Sequence, residues 1–311
     1  MQTRHALRQR DAVAALRAAG AEVTYDVDPP TIGPATVLSH ELREETWLDR
    51  ALPKDFVSRV VHVRFIRNIA SDEIVAHLAN LPHLDQLEIS SGIVTDVGVN
   101  SIAGATSLQG LKLDGDDLSN EGRRKLGRLA NLKCLVLSGR GDGVEDWDWL
   151  LKLRDLWYLQ LSGTMVTEDC LRHVGGLKRL EYLILDSEEV TDESLAHLGS
   201  LANLQSLTIK SAPISDDGLK ALSRLSNLRG LGLSRTPISG SGSTHLSGLK
   251  NLGHIELHKC PVGDDAVQAI AQMTSLKSVD FVGTPLSNEA VARLRRECPA
   301  LEGRTYDVTD D

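Results

Sequence analysis

The sequence predicts an α/β right-handed solenoid, a horseshoe with a parallel sheet on its concave side and helices outside, and three observations predict it. Written in rows of 24 from Val60, the chain aligns ten times without an insertion. In those rows column one is Val60 and then leucine from Leu84 to Leu276, column four runs from Val63 through Leu183 to Val279, and column six from Phe65 through Leu185 to Phe281. Column nineteen is apolar in every row, from Leu78 and Ile102 to Leu294, and column twenty-two nearly so, which is helical i, i+3 spacing. Aromatic residues make up only 4% of a chain that is 41% hydrophobic, so burial must come from aliphatic side chains at regular intervals.

The elements follow in order. Residues 3 to 19 read as a helix closed by Gly20, Ala21 to Val27 as a strand with Val23, Tyr25 and Val27 on one face, and Glu41 to Leu52 as a second helix. Residues 1–59 are thus expected to cap the N-terminal end. In rows 60–299, columns four and six alternate with polar neighbours, the period of a strand with one buried face. Column twelve is Ser or Thr in eight rows, among them Ser71, Thr95, Thr191 and Ser287, with Asp or Glu usually close behind; these read as helix N-caps with acids facing the positive end of the dipole. One such row cannot bury its own apolar face, so rows must stack. Strands sit about 4.8 Å apart while helices need about 8 to 10 Å, so the stack should bend around a concave sheet roughly 48 Å long. Residues 300–311 are expected to close the other end, with Leu301, Arg304 and Tyr306 as a degenerate last strand.

The segments LWYLQLSGTMVTEDCLRHVGGLKR (156–179) and LQSLTIKSAPISDDGLKALSRLSN (204–227) resemble the leucine-rich repeats of bacterial, planctomycete-type proteins. DAVAALRAAGAEVTYDVDPP, followed by TWLDRALPKDFVSRVVHV, is similar to the lead-in of that group. The resemblance implies a protein-binding scaffold, in some members anchored by a membrane segment ahead of the lead-in.

Composition narrows the partners. The net charge is -9 and no long basic run offers a track for phosphates, so nucleic acid is not expected. Cys134, Cys170, Cys260 and Cys298 form no CxxC pair and read as unpaired thiols. No stretch approaches 18 apolar residues, and the first twenty carry Arg4, Arg8, Arg10 and Arg17, so no membrane insertion is expected and the compartment reads as cytoplasmic, with an upstream anchor left open.

Four sets of residues invite a chemical reading. His254, Glu256 and His258 project from one face of a strand, with Asp280 one row over in the column of Glu256, a spacing able to chelate a divalent ion. Burial of Ile255 and Leu257 already demands polar residues there, so no metal is expected. No Ser or Cys stands in a motif with a His and an acid, and His77, His173, His197 and His245 fall on the helical parts of their rows; no catalytic residue and no cofactor is expected. GRGDGVED (139–146) lacks the spacing of a phosphate loop, and Asp142, Glu145, Asp146 and Asp148 lack the order of an EF-hand. The fourth set is aromatic. Trp147, Trp149 and Trp157 lie within eleven residues, followed by Tyr158 and Tyr182. Trp147 falls in a core column. Tyr158 and Tyr182 share column three, Val136, Gln160 and Ile184 share column five, and with Trp157 they are expected to form a partly apolar patch on the open concave face.

The expected function is therefore non-catalytic: a monomeric scaffold binding a protein partner at Val136, Trp157, Tyr158, Gln160, Tyr182 and Ile184. The alternative is an adaptor of the F-box and leucine-rich-repeat type, prompted by LPKDFVSRV (52–60), although a first row at Val60 leaves no room for further helices after that Leu-Pro. An enzyme-associated or metal-binding solenoid ranks third.

Overall fold

The computed structural model describes residues 2–26, 54, 58–65, 70–90, 92–114, 118–140, 146–298 and 305–306. The chain divides into two compact units, Met1–Leu156 and Trp157–Asp311.

In the first unit the helix Gln2–Ala18 buries Ala12, Val13 and Leu16 and ends ahead of Gly20, whose φ of 81° lets the chain reverse. The strand Glu22–Tyr25 then runs antiparallel to Val60–Phe65, pairing Val23 with Val63, so the first row's strand does not end the sheet as a bare edge. Arg17 donates to the Tyr25 hydroxyl and lies over its ring, tying helix to strand. The expected helix over 41–52 and Val27 lie outside the described residues. From Val60–Phe65 the strands Gln86–Ile89, Gly110–Asp114 and Cys134–Ser138 follow in parallel, with Val63, Leu87, Leu111 and Leu135 as successive partners.

The second unit repeats the arrangement. Strands Tyr158–Ser162, Tyr182–Asp186, Ser206–Lys210, Gly230–Ser234, His254–His258 and Ser278–Val282 are parallel and in strict register, with Leu159, Leu183, Leu207, Leu231, Ile255 and Val279 as partners. The last two-residue strand, Thr305–Tyr306, pairs with Phe281 and Val282. Each partner lies 24 positions on, as from 207 to 231. These column-four residues are at most 3% exposed, so one face of each sheet is core, as the alternation demands.

The helical parts are less uniform than the columns suggest. Asp96–Ile102, Glu168–Val174 and Asn288–Glu297 are α-helices, whereas Ser241–Leu246 is a 3-10 segment and Asp192–Leu195 passes into one at Ala196–Ser200. Spacing of i, i+3 suits either helix, so the pattern cannot separate them. Six of the eight expected N-caps stand: Ser71, Thr95, Ser119, Thr167, Thr191 and Ser287 each accept a backbone N–H of the first turn, whereas the helical segments after Ser215 and Ser239 have Gly218 and Gly240 at the cap position with no side-chain bond.

The acids behind those caps do something the dipole reading misses. Asp72, Asp192 and Asp264 each reach into the following row, accepting both the hydroxyl and the backbone N–H of its column-twelve residue, Thr95, Ser215 and Ser287 respectively. Asp216 does the same to Ser239 and also accepts the N–H groups of Gly240 and Gly242. A second ladder runs at the other end of the helical parts, where Asn203, Asn227 and Asn251 donate to Lys178, Ala202 and Ser226 carbonyls of the preceding row. Both ladders satisfy backbone groups that short helices leave open, and they link one row to the next.

No helix among the described residues is long and apolar enough to cross a membrane. Burial, reinforced by the charge of Glu88, pushes the Cys134 thiol up to about 12, and burial raises Cys170 well above its usual value, so both stay protonated and inert at neutral pH. Cys260 packs into its turn against Thr236.

Candidate functional site

The register of the second unit brings the expected aromatic residues together. Tyr158 and Tyr182 are partners on adjacent strands, and Gln160 and Ile184 are partners two residues further, beside Thr208. Leu159 and Leu183 between them point into the core, so Tyr158, Gln160, Tyr182 and Ile184 must emerge on the opposite, open face. Tyr182 is 37% exposed; Trp157, Tyr158, Gln160 and Ile184 are half-buried.

Three rings form the centre. Trp157 meets Tyr158 edge-on at 6.1 Å and Tyr182 edge-on at 5.6 Å, while the two tyrosines stack at 6.4 Å with 26° between their planes. The Tyr158 hydroxyl donates to Gln160 Oε1 at 3.4 Å. Rings already packed against each other lose little freedom when a ligand covers them, and they carry apolar faces with polar tips. The arrangement can bind a surface that offers apolar area and hydrogen-bonding groups together.

Val136 does not join this patch as accessible surface. It lies in the first unit and is 4% exposed. Its open-face partner on the adjacent strand is Lys112, and a short β-branched side chain beside a four-carbon stem is overshadowed rather than presented. Trp147 and Trp149, stacked at 5.9 Å, are fully buried; Trp147 is core, as its column predicts.

The column that holds Trp157 supplies residues the alternation argument passed over. Glu181, Gln205 and Arg229 occupy the same place in the next three rows, and with Asn203 and Asn227 they line a hollow of about 230 Å³. Gln205 donates to Glu181 at 2.8 Å. The available signal was positional: this column directly follows each row's first leucine and carries long polar side chains in those rows.

The acid-rich turn contributes little that can be placed. Asp142 and Glu145 lie outside the described residues, and Asp146 pairs with Arg124 and accepts the N–H of Asp148. On the strand His254–His258, by contrast, His254, Glu256 and Asp280 each offer a ligand atom, and these atoms lie within 4.8 Å of one another. His254 Nε2 faces Glu256 Oε1 at 3.0 Å and its Nδ1 bonds the Ser278 hydroxyl. His258 is outside that group.

No family model and no curated protein matches the sequence. Among solved structures, the chain is similar to an internalin (inlF) of Listeria monocytogenes, at 16% identity and a TM-score of 0.43, covering 81% of this chain and 87% of that one. It is also similar to a leucine-rich-repeat protein of Leptospira interrogans, at 17% identity and a TM-score of 0.37 over 74% of each chain. A plant peptide hormone receptor, RGFR1 in complex with RGF2, matches at 17% identity and a TM-score of 0.46, over 75% of this chain and 41% of the receptor. Parallel strands in 24-position register, buried LxxLxL columns and a helical return in each row make this chain an α/β leucine-rich-repeat fold.

Proposed function

We propose that the protein is a non-catalytic binding scaffold whose open sheet face in the second unit receives a protein partner at Trp157, Tyr158, Gln160, Tyr182 and Ile184. The observation that supports this reading most is the ring cluster, three aromatic side chains within 5.6 to 6.4 Å of one another on the side of the sheet away from the helices. A strand needs only polar or small residues on that side, and a prepacked Trp and two Tyr go beyond the need. In this reading residues 1–59 and 300–311 cap a stack of ten rows over 60–299, and the protein works as a cytoplasmic monomer. The F-box adaptor alternative rests on residues 52–60, of which Lys54 and 58–60 are described, and no observation favours it.

The test is affinity capture by the whole protein, followed by binding measurements with the captured partner. Replacing Tyr158 and Tyr182 by alanine is expected to weaken binding by at least about 2 kcal/mol, roughly thirtyfold. Lys220→Ala and Arg224→Ala, both exposed on the helical side of a regular row, should leave it unchanged. If the tyrosine variant binds normally while the helical-side variants do not, the working face is the other one.

A further inference from the structure

Burial of Ile255 and Leu257 explains why residues 254, 256 and 258 are polar, but it does not explain what surrounds two of them. Glu256 is in register with Asp280 on one side, and on the other side His254 and Glu256 face Gly230 and Gly232. Two strands thus bring an imidazole and two carboxylates to one point. The neighbouring strand carries no side chain at Gly230 or Gly232, so that strand adds no competing group beside them. A Cβ on Gly232 would meet Thr208 Oγ1 at 3.1 Å and Thr208 Cγ2 at 3.3 Å before Glu256 Oε2 at 3.6 Å, so Thr208 and Glu256 already reach over that glycine.

From this geometry we infer that His254, Glu256 and Asp280 bind a divalent transition ion of the zinc and manganese class, with water completing its coordination. One nitrogen and two carboxylate oxygens are a donor set suited to such ions. Ligand atoms around a tetrahedral zinc stand about 3.3 Å apart, given bonds near 2.0 Å. His254 Nε2 and Glu256 Oε1 are already 3.0 Å apart, and the third ligand atom of the group falls within 4.8 Å, a gap that a carboxylate rotation can close. The ligands sit on paired strands, which holds their spacing without help from a loop. The other ring nitrogen of His254 engages the Ser278 hydroxyl, the outer contact that fixes ring orientation in histidine metal sites.

Binding of Zn²⁺ or Mn²⁺ alone to the whole untagged protein, followed by calorimetry, tests the inference, with Co²⁺ as a visible-spectrum probe of the nitrogen ligand. One ion per chain is expected, with loss of saturable binding in His254→Ala. Asp280→Asn should weaken it by about a hundredfold or more, and Ser278→Ala by about ten- to a hundredfold. His258→Ala should bind as the parent does. Failure of the parent protein to take up any of the three ions saturably overturns the site. So does uptake that survives in a His254→Ala, Asp280→Asn double variant, because the ion would then sit elsewhere. Because the ring cluster lies three strands away, these variants leave the partner-binding reading to its own test.

Discussion

In the first unit several strand positions that point away from the helices are covered: His62, Gln86 and Glu88 are 8%, 4% and 3% exposed, with Arg64 and Lys112 half-buried beside them. In the second unit the same positions hold Tyr182, with Tyr158, Gln160, Ile184, Thr208, His254, Glu256 and Asp280 half-buried. Both sheets obey the same alternation, so the pattern in the sequence determines which side a residue leaves from and says nothing of what lies over it. Where the open side is covered, its polar groups must be paired. Glu88 is held by Arg64 at 2.9 Å, with His62 at 3.8 Å. Where it is less covered, polar and aromatic side chains reach solvent.

The largest expected effect separates the two sides of one strand. Leu183→Asp places a charge between stacked rows and should cost at least about 4 kcal/mol, enough to lose the cooperative unfolding of the second unit, while Ile184→Asp, one residue on, should cost no more than about 1 kcal/mol. Equal losses in urea titrations of the two variants would mean that the register is wrong. A somewhat smaller effect separates the two open faces. Arg64→Ala leaves the buried Glu88 carboxylate without its closest cation and should cost about 3 kcal/mol, against about 1 kcal/mol or less for Tyr182→Ala. A neutral Arg64→Ala would show that the first unit's face is wetter than its burial implies.

The smallest effect is a dependence on pH. Burial tends to raise the Asp216 carboxyl, but hydrogen bonds from the Ser239 hydroxyl and from the N–H groups of Gly242, Ser239 and Gly240 outweigh it and hold the group below the usual carboxylate range. The hydroxyl and N–H of Ser287 lower Asp264 in the same way. A carboxylate depressed by folding contributes stability that is complete above its unfolded value, about 3.9, and is lost as pH falls through the lower folded value. Urea midpoints should therefore drop between about pH 5 and pH 3, and Asp216→Asn should flatten that drop while lowering the midpoint at neutral pH. An unchanged slope would remove Asp216 as its source.

Much of this was legible in the sequence. Columns one, four, six and nineteen named the buried residues, the Ser and Thr column named six caps but not those of the short segments after Ser215 and Ser239, and the shared column of Tyr158 and Tyr182 named the pair at the centre of the candidate site. Val136 was misjudged because alternation carries no information about the height of neighbouring side chains. The type of helix was hidden by a spacing common to both kinds. The reach of Asp72, Asp192, Asp216 and Asp264 was hidden because an acid behind a cap looks the same whether it serves its own helix or the next one.

That reach governs how rows can be exchanged. In four of the rows that follow such an acid, with Asp96 holding Ser119 as a further pair, the third residue after the column-twelve Ser or Thr is glycine, and a Cβ there would meet the acid itself: 2.3 Å from Asp72 Oδ1 at Gly98, 2.0 Å from Asp96 Oδ1 at Gly122, 2.1 Å from Asp192 Oδ1 at Gly218 and 2.9 Å from Asp216 Cβ at Gly242. Where Ala290 takes that place, Asp264 keeps its bonds to Ser287 but stands exposed. A row is therefore not a free module. Its acid is matched to the glycine of its successor, so recombination that cuts at row boundaries would join acids to alanines and tyrosine-bearing strands to strangers. Acid and glycine stand 26 positions apart in rows of 24, so a cut anywhere along the rows parts some pair, and an inserted row must bring both a glycine for the acid before it and an acid for the row after it.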